Sequence, residues 1–345
     1  MKSLIYTDVH YSQYSSILRK HGTKFSQRLE GIIKSLNWAE NLAVEKKCDN
    51  IICLGDFFDQ SHLNADELSA LNEIKWANLP HVFLVGNHEM AQSSLEISSA
   101  HLLKLIPQIS LVEKPTFIVR DNVEFAFLPY ILELEREPIS NYFSEYLSDA
   151  TRIIFSHNDI KGVQMGAFIS KEGFSVEDIT NNCSLFINGH LHNGGWVEPN
   201  KILNLGNLTG QNFSENASQY VHQCVVLEVT DKNITYDFIE NPYAFNFYKL
   251  GIINNIFQIP NFKPNSIVSC GSKENMISAI QETLNSNPNV IESRVILEKE
   301  VIESDDTTPE TKLEIIDHYN QFMTYVMENI GADDITLSEL KEVLK

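Results

Sequence analysis

Apolar and polar positions follow two rhythms through the first part of the chain. Short apolar runs at residues 3–9, 50–54 and 81–85 have strand character, and each ends in polar residues. Between them the spacing is helical. Leu29, Ile32, Ile33, Leu36, Leu42 and Ala43 fall on one face of residues 26–47. Asn64 with Glu67 three positions on predicts a capped helix over 64–78, and residues 93–106 again have helical spacing. Strand–helix–strand repeats of this kind predict a parallel sheet with right-handed crossovers.

From residue 116 onward strands dominate. Runs at 116–120 and 123–130 flank Asp121-Asn122, a hairpin signal. A helix is expected over 134–150. Strands follow at 152–156, 185–188, 202–205, 221–230 and 234–240, the last two joined around Asp231-Lys232-Asn233. Together these predict an α/β sandwich with two central sheets. After Asn241-Pro242 the pattern becomes mixed, and an acidic, Thr-rich stretch follows at 303–308. Pro309 then opens a helix with Ile316, Tyr319, Met323, Val326 and Ile330 on one face. Thr336 and Glu339 form a capping box for a last short helix. The expected division is 1–240, 241–303 and 304–345, the last a candidate partner-binding element, with packing on the middle segment as the alternative.

Composition narrows the class. No stretch approaches the roughly 20 apolar residues that cross a bilayer, and the first residues lack a signal-peptide pattern, so a cytoplasmic protein without membrane contact is expected. The five cysteines form no CxxC and read as free thiols. Acidic residues outnumber basic ones 46 to 26, for a formal charge of −20. That argues against a free-standing DNA binder with a basic face. Bound cations or a partner subunit would have to supply positive charge.

Five motifs follow apolar runs: Asp8-Val9-His10, Gly55-Asp56-Phe57-Phe58-Asp59, Gly86-Asn87-His88-Glu89, Ser156-His157-Asn158 and Gly189-His190-Leu191-His192. The carboxyl ends of parallel strands gather at one edge, where ligands bind. Residues at i and i+2 of an extended segment face the same way, so Asp8 with His10, and His190 with His192, are expected as pairs, each aimed at one ion. Two carboxylates, four histidines and the Asn87 amide suit Mn²⁺, Fe²⁺ or Zn²⁺ better than Ca²⁺. Seven donors exceed the needs of one ion. Two divalent ions bring four positive charges against two negative ones from Asp8 and Asp56, which leaves a site attractive to phosphate. His62, His81, His101 and His222 read as ordinary histidines. The loop 11–25 carries Arg19, Lys20, His21 and Lys24, which either meet a DNA backbone or are simply solvated. Asn200, Asn207, Gln211 and Asn212 form a polar stretch past His192.

The five motifs, in this order over residues 5 to 192, resemble the calcineurin-like metallophosphoesterase family. The resemblance implies a four-layer α/β/β/α sandwich, a smaller α+β cap after residue 241, and two divalent ions, with Mn²⁺ preferred. It assigns Asp8, His10, Asp56 and His192 to one ion, and Asp56, Asn87, His157 and His190 to the other. His88 would face the scissile phosphate without ligating, and Asp59 would orient a ligand such as His10. The family often has Asp where this chain has Glu89, which leaves the role of that carboxylate open. The segment 55–71, the cap and the last helices resemble the SbcD-type nucleases, including compact phage enzymes. Those pair with the SMC-like ATPase SbcC and cut DNA as exonucleases or endonucleases in recombination, repair or replication, and a homodimer is possible. A phosphatase or nucleotide phosphodiesterase of the same fold is the alternative, and a non-catalytic scaffold the third reading.

Overall fold

The computed structural model describes residues 1–15, 17–18, 21–143, 151–165, 168–230, 233–253 and 256–297. In chain order, the elements that build the site begin with β1 (Lys2–Tyr6), α1 (Gln27–Glu45), β2 (Asn50–Cys53), α2 (Ala65–Ala70), β3 (His81–Leu84) and β4 (Ile109–Val112). There follow β5 (Thr116–Arg120), β6 (Val123–Leu128), β7 (Thr151–Ser156), α3 (Val176–Asn182), β8 (Leu185–Asn188), β9 (Gly195–Glu198) and β10 (Ile202–Asn204). The chain continues through β11 (Gln223–Val229), β12 (Ile234–Glu240), β13 (Asn246–Leu250), β14 (Ser266–Ser272), α4 (Ile277–Asn285) and β15 (Val290–Leu297).

Two six-stranded sheets lie at the centre. The first has the order β12-β11-β1-β2-β3-β4, with β1 to β4 parallel. The second has the order β9-β10-β8-β7-β6-β5, with β6, β7, β8 and β10 parallel. Alternate side chains leave opposite faces of a strand, and here both faces are covered. Ile5, Ile52, Phe125, Ile153, Phe155, Leu185, Ile187 and Val225 share the apolar layer between the sheets. Leu4, Tyr6, Ile51 and Cys53 face outward onto α1 through Leu29, Ile32, Leu36 and Ala43. Ile154 and Phe186 face outward onto the other side, with Ile179 of α3. Burial on both faces explains why these strands read as unbroken apolar runs. The result is the four-layer α/β/β/α sandwich. No helix among the described residues is long and apolar enough to cross a membrane.

A third sheet, β13-β14-β15, is parallel throughout. One face packs on α4 through Tyr248, Val268, Cys270, Ile280 and Leu284. Phe247 and Ile267 join Leu18 and Phe245 in a separate cluster, with Ile17 and Phe213 against it. By its packing, Met1–Glu298 forms one compact unit. The expected C-terminal segment 304–345 lies outside the described residues, as do Arg19 and Lys20.

Several local expectations change. Residues 93–106 are not one α-helix. Met90–Ala91 pairs with Ser94–Ser98 as a hairpin, and Ser99–Leu105 is a 3₁₀ turn. Gln92 and Ser93 both have positive φ, 54° and 53°, as a two-residue type I′ loop requires. Neither residue announces that conformation, so helical spacing misled. The helix after Asn64 has its capping box but ends at Ala70, followed by one 3₁₀ turn. In place of a helix from 134, the described part has 3₁₀ turns at Glu133–Glu135 and Ile139–Asn141; residues 144–150 fall outside the description. The Asp121-Asn122 hairpin forms, with φ of 52° and 60°.

Ile187 is fully buried between the sheets, one residue before the end of β8. Ile187→Ala should lower unfolding stability by about 2–5 kcal/mol, measured by denaturant titration of the metal-free protein.

Candidate metal centre

The five motifs emerge where strands of both sheets end. Backbone hydrogen bonds then zip the turns together. Asp8 N–H donates to Gly55 O at 3.1 Å and His10 N–H to Asp56 O at 3.0 Å. Gly189 N–H donates to Ser156 O at 2.9 Å, and Tyr130 N–H crosses between sheets to Val85 O at 3.0 Å. Asp8, His10, Asp56 and His190 all sit in left-handed backbone, with φ between 46° and 71°. Each such non-glycine conformation costs on the order of 1–3 kcal/mol and persists only where the surroundings enforce it.

Three groups of donor atoms lie within 4.8 Å of one another: Asp8, His10 and His192; His10, Asp56 and His88; and Asp56, His157 and His190. Asp56 and His10 connect the groups, and Asp56 Oδ2 lies 3.1 Å from His157 Nε2 and 3.9 Å from His10 Nε2. The structure thus assembles the Asp and His residues expected as ligands. Asn87 stands in the turn between Gly86 and His88, and its Oδ1 is buried without a hydrogen-bond partner among the described residues. One geometric expectation fails. His190 and His192 do not face the same group, because the left-handed His190 breaks the extended backbone that an i, i+2 argument needs. Asp8 and His10 do share a group, but through a left-handed turn rather than a strand.

Most of the clustered histidines rest on carboxylates. His10 Nδ1 lies 3.0 Å from Asp59 Oδ1, as expected of Asp59. His192 Nδ1 lies 2.9 Å from Glu215 Oε1, and His190 Nε2 lies 3.3 Å from Asp159 Oδ1. Such partners fix the tautomer and orientation of metal-ligating histidines. Asp159 and the fully buried Glu215 escaped the sequence reading. Asp159 had a signal, since it stands two residues past His157 at the same strand end. Glu215 had none, because it reaches the site from a long loop.

The donors fit divalent ions. His10 Nε2 and His192 Nε2 face each other at 2.9 Å while both Nδ1 atoms are held by carboxylates. Without an ion, a proton must stand between these two nitrogens, and a divalent cation offers both of them, and Asp8 beside them, a shared partner in its place. Asp8 Oδ1 and both ring nitrogens of His157 are buried with no hydrogen-bond partner among the described residues. Electrostatics agree. Burial alone would raise the Asp8 and Asp56 carboxyls, yet the surrounding histidines outweigh it and hold both well below the ordinary range. Burial would lower His10 and His157, yet the carboxylates push them up to about 10 and about 9.

Glu89 does not contact the His88 ring. It is fully buried, and its carboxylate accepts from Phe57 N–H at 2.8 Å, Phe58 N–H at 3.1 Å and Gly86 N–H at 2.7 Å. It ties the turn at 55–59 to the turn at 86–88. Burial and the nearby Asp56 push its carboxyl up to about 7. His88 N–H in turn donates to Asp56 Oδ1 at 3.0 Å, and His88 Nδ1 lies 3.0 Å from the Asp59 carbonyl. The His88 side chain is 42% exposed. His81 and His101 pair with Glu40 and Glu113, and His222 meets the Asn207 carbonyl, as ordinary histidines do. Lys24 pairs with Glu73 at the surface.

A model of the calcineurin-like phosphoesterase family matches residues 1–194, and the chain belongs to that family. Among curated relatives, the chain is 26% identical over 197 residues to phosphoesterase 078R of Invertebrate iridescent virus 3, covering 55% of each protein. It is 33% identical over 92 residues to the DNA double-strand break repair protein Mre11 of Methanosarcina mazei, covering 26% of this chain and 14% of that one. The chain therefore spans about half of the first relative and a small part of the second. Among solved structures, a dimetal phosphatase from Danio rerio matches at 13% identity and a TM-score of 0.42, over 70% of this chain and 96% of that one.

A Cβ on Gly86 would overlap the Asp56 carboxylate and stand 2.5 Å from the Asp56 backbone nitrogen, and one on Gly55 would stand 2.5 Å from His157 Nδ1. Backbone cannot yield as a flexible side chain does. Gly86→Ala should therefore weaken Mn²⁺ binding by about 10-fold or more, read by equilibrium dialysis, with the far-ultraviolet circular dichroism unchanged.

Proposed function

We propose that this chain is a two-metal nuclease that hydrolyses DNA phosphodiester bonds, in the manner of the SbcD-type nucleases, and works with an SMC-like ATPase. The observation that carries the reading is the site itself: three histidine–carboxylate groups linked through His10 and Asp56, beside an open pocket of about 260 Å³. Tyr14, Arg28, His88, Gln211 and Asn212 line that pocket together with His10 and His192. Tyr14 is 67% exposed and offers an aromatic face of the kind on which bases stack. The likeness to a DNA double-strand break repair protein favours nucleic acid over other esters.

Asp8, His10, Asp56 and His192 would hold one ion, and Asp56, Asn87, His157 and His190 the other, with Mn²⁺ the preferred metal. Bound divalent ions supply Lewis acidity that polarises the phosphate and makes water more acidic. The remaining steps belong to side chains. A carbonyl oxygen only accepts, so the contact with Asp59 O places a proton on His88 Nδ1. His88 Nε2 donates to a phosphate oxygen or to the departing oxygen when the ring is the imidazolium, with both nitrogens protonated. Glu89 and Asp59 keep the two turns in register while this happens.

Purified protein with Mn²⁺ should degrade double-stranded DNA and should cleave bis(p-nitrophenyl) phosphate faster than p-nitrophenyl phosphate. His88→Ala should cost about 10²–10⁴-fold in rate without changing the thermal midpoint. Hydrolysis confined to monoesters would point to a phosphatase instead.

The partner is a separate matter. Deleting residues 309–345 should leave diesterase activity intact and remove co-purification with a co-expressed SMC-like ATPase of the SbcC type. Retained binding would assign that segment a packing role, and sedimentation of the full chain would report whether it forms a homodimer.

A further inference from the structure

Arg28 lies in the first turn of α1 and is only 2% exposed, yet it makes no ion pair with a carboxylate among the described residues. Desolvating a guanidinium without a paired anion is costly, and an apolar side chain of similar size would commonly be no less stable there. Its hydrogen bonds show what it does instead. Nη2 donates to the His10 carbonyl at 3.2 Å and to Gln211 Oε1, and Nη1 to the Gly210 carbonyl at 3.5 Å. Gln211 Nε2 continues to the Val9 carbonyl at 3.3 Å and to Thr209 Oγ1 at 3.0 Å, and Thr209 donates to the same Val9 carbonyl at 3.0 Å. Three side chains thus grip the two consecutive carbonyls of the Asp8-Val9-His10 turn. That turn is the one held in left-handed backbone at both Asp8 and His10. Gln211 N–H also donates to Glu215 Oε2 at 2.7 Å, and Glu215 Oε1 holds His192. One network therefore reaches His10 directly, His192 through Glu215, and the backbone that follows Asp8. Among the described residues, none of its hydrogen bonds goes to Asn87, His157 or His190.

We infer that Arg28 is a positioning residue for the ion held by Asp8, His10 and His192, acting through the carbonyls of the turn and through Gln211, and that it leaves the other ion site alone. The inference rests on the two-ion reading of the site and does not depend on DNA being the substrate. The guanidinium suits the task because its fork serves several acceptors at once. A lysine ammonium on its flexible stem would serve fewer.

The test is Mn²⁺ binding to the full chain, followed by equilibrium dialysis and by electron paramagnetic resonance, which separates coupled ion pairs from single ions. Wild type should bind two coupled ions. Arg28→Met and Gln211→Leu should each keep one ion at wild-type affinity and weaken the other by about 10–100-fold, giving a single-ion spectrum. Arg28→Lys should recover part of the loss. Added to His192→Ala, Arg28→Met should cause no further loss; added to His157→Ala, it should remove the remaining ion. The metal-free thermal midpoint of Arg28→Met should stay near wild type, which a purely structural arginine would not allow. Equal weakening of both ions, no weakening of either, or the same added loss in both backgrounds overturns the inference. A wild type that binds no ions overturns the two-ion reading itself. If Arg28→Met does not fold, Gln211→Leu breaks the same network from the loop side and decides alone.

Discussion

Two carboxylates and two imidazoles, Asp8, Asp56, His10 and His157, are packed almost wholly out of water at one edge of this fold. Charge in such a place is tolerated only when opposite charge stands close by. Every other feature of the site follows from that constraint. The carboxylates hold protons away from themselves and press them onto the histidines. Divalent ions do the same balancing better, because each brings two charges and satisfies several donors at once. The strained turns are stable for the same reason. Asp8, His10, Asp56 and His190 stand in backbone that isolated chains avoid, and the mutual zipping of their turns holds them there.

The fold was legible because its strands are buried on both faces. Residues 153–155 and 185–187 read as unbroken apolar runs, since Ile153 and Phe155 face one layer while Ile154 faces the next. The donors were legible because each stands just past such a run. What surrounds them was not. Arg28 sits beside Leu29 at the head of an amphipathic helix, where an arginine looks like a solvated residue. Glu215 lies in a loop without periodicity. One pairing expected among the candidate donors differs in the structure. The i, i+2 rule holds for extended backbone, and φ of 71° at His190 removes its premise. Torsions of this kind are imposed by tertiary contacts, so a residue's identity announces them only when it is glycine or asparagine.

An acidic chain that handles phosphate is less contradictory than its formal charge of −20 suggests. Attraction at short range depends on the charges nearest the substrate, not on the sum over the surface. Around the candidate centre the acidic groups are buried or half-buried and face histidines: Asp59 beside His10, Asp159 beside His190, Glu215 beside His192. Of the residues lining the adjoining pocket, Asp59 is the one carboxylate, and Arg28 and three histidines line it as well. Two divalent ions added to that set leave the pocket positive while the outer surface stays negative.

The small parallel sheet is coupled to this pocket by packing and by backbone hydrogen bonds, with Ala217 N–H donating to Phe247 O at 2.7 Å. Phe247 of β13 and Ile267 of β14 share a cluster with Leu18 and Phe245, against which Ile17 and Phe213 pack. Ile17 is also a pocket-lining residue, and Tyr14 and Ser15 belong to the same loop. That loop is fixed on its other side by Gln13, whose N–H donates to Glu67 at 2.8 Å, and by Ser15, whose hydroxyl caps the N–H groups of Ile17 and Leu18. Leu18 is buried and Tyr14 stays exposed, so the loop is anchored at its apolar end and free at the residue beside the pocket. Past His192, Gln211 and Asn212 line the pocket and are followed directly by Phe213, which packs on that same cluster. Both walls of the pocket thus lead into one apolar cluster beneath the third sheet. A shift of that sheet would reach the pocket walls through Leu18 and Phe213, and through the Asn216–Phe247 bridge it would also reach Glu215, which holds His192.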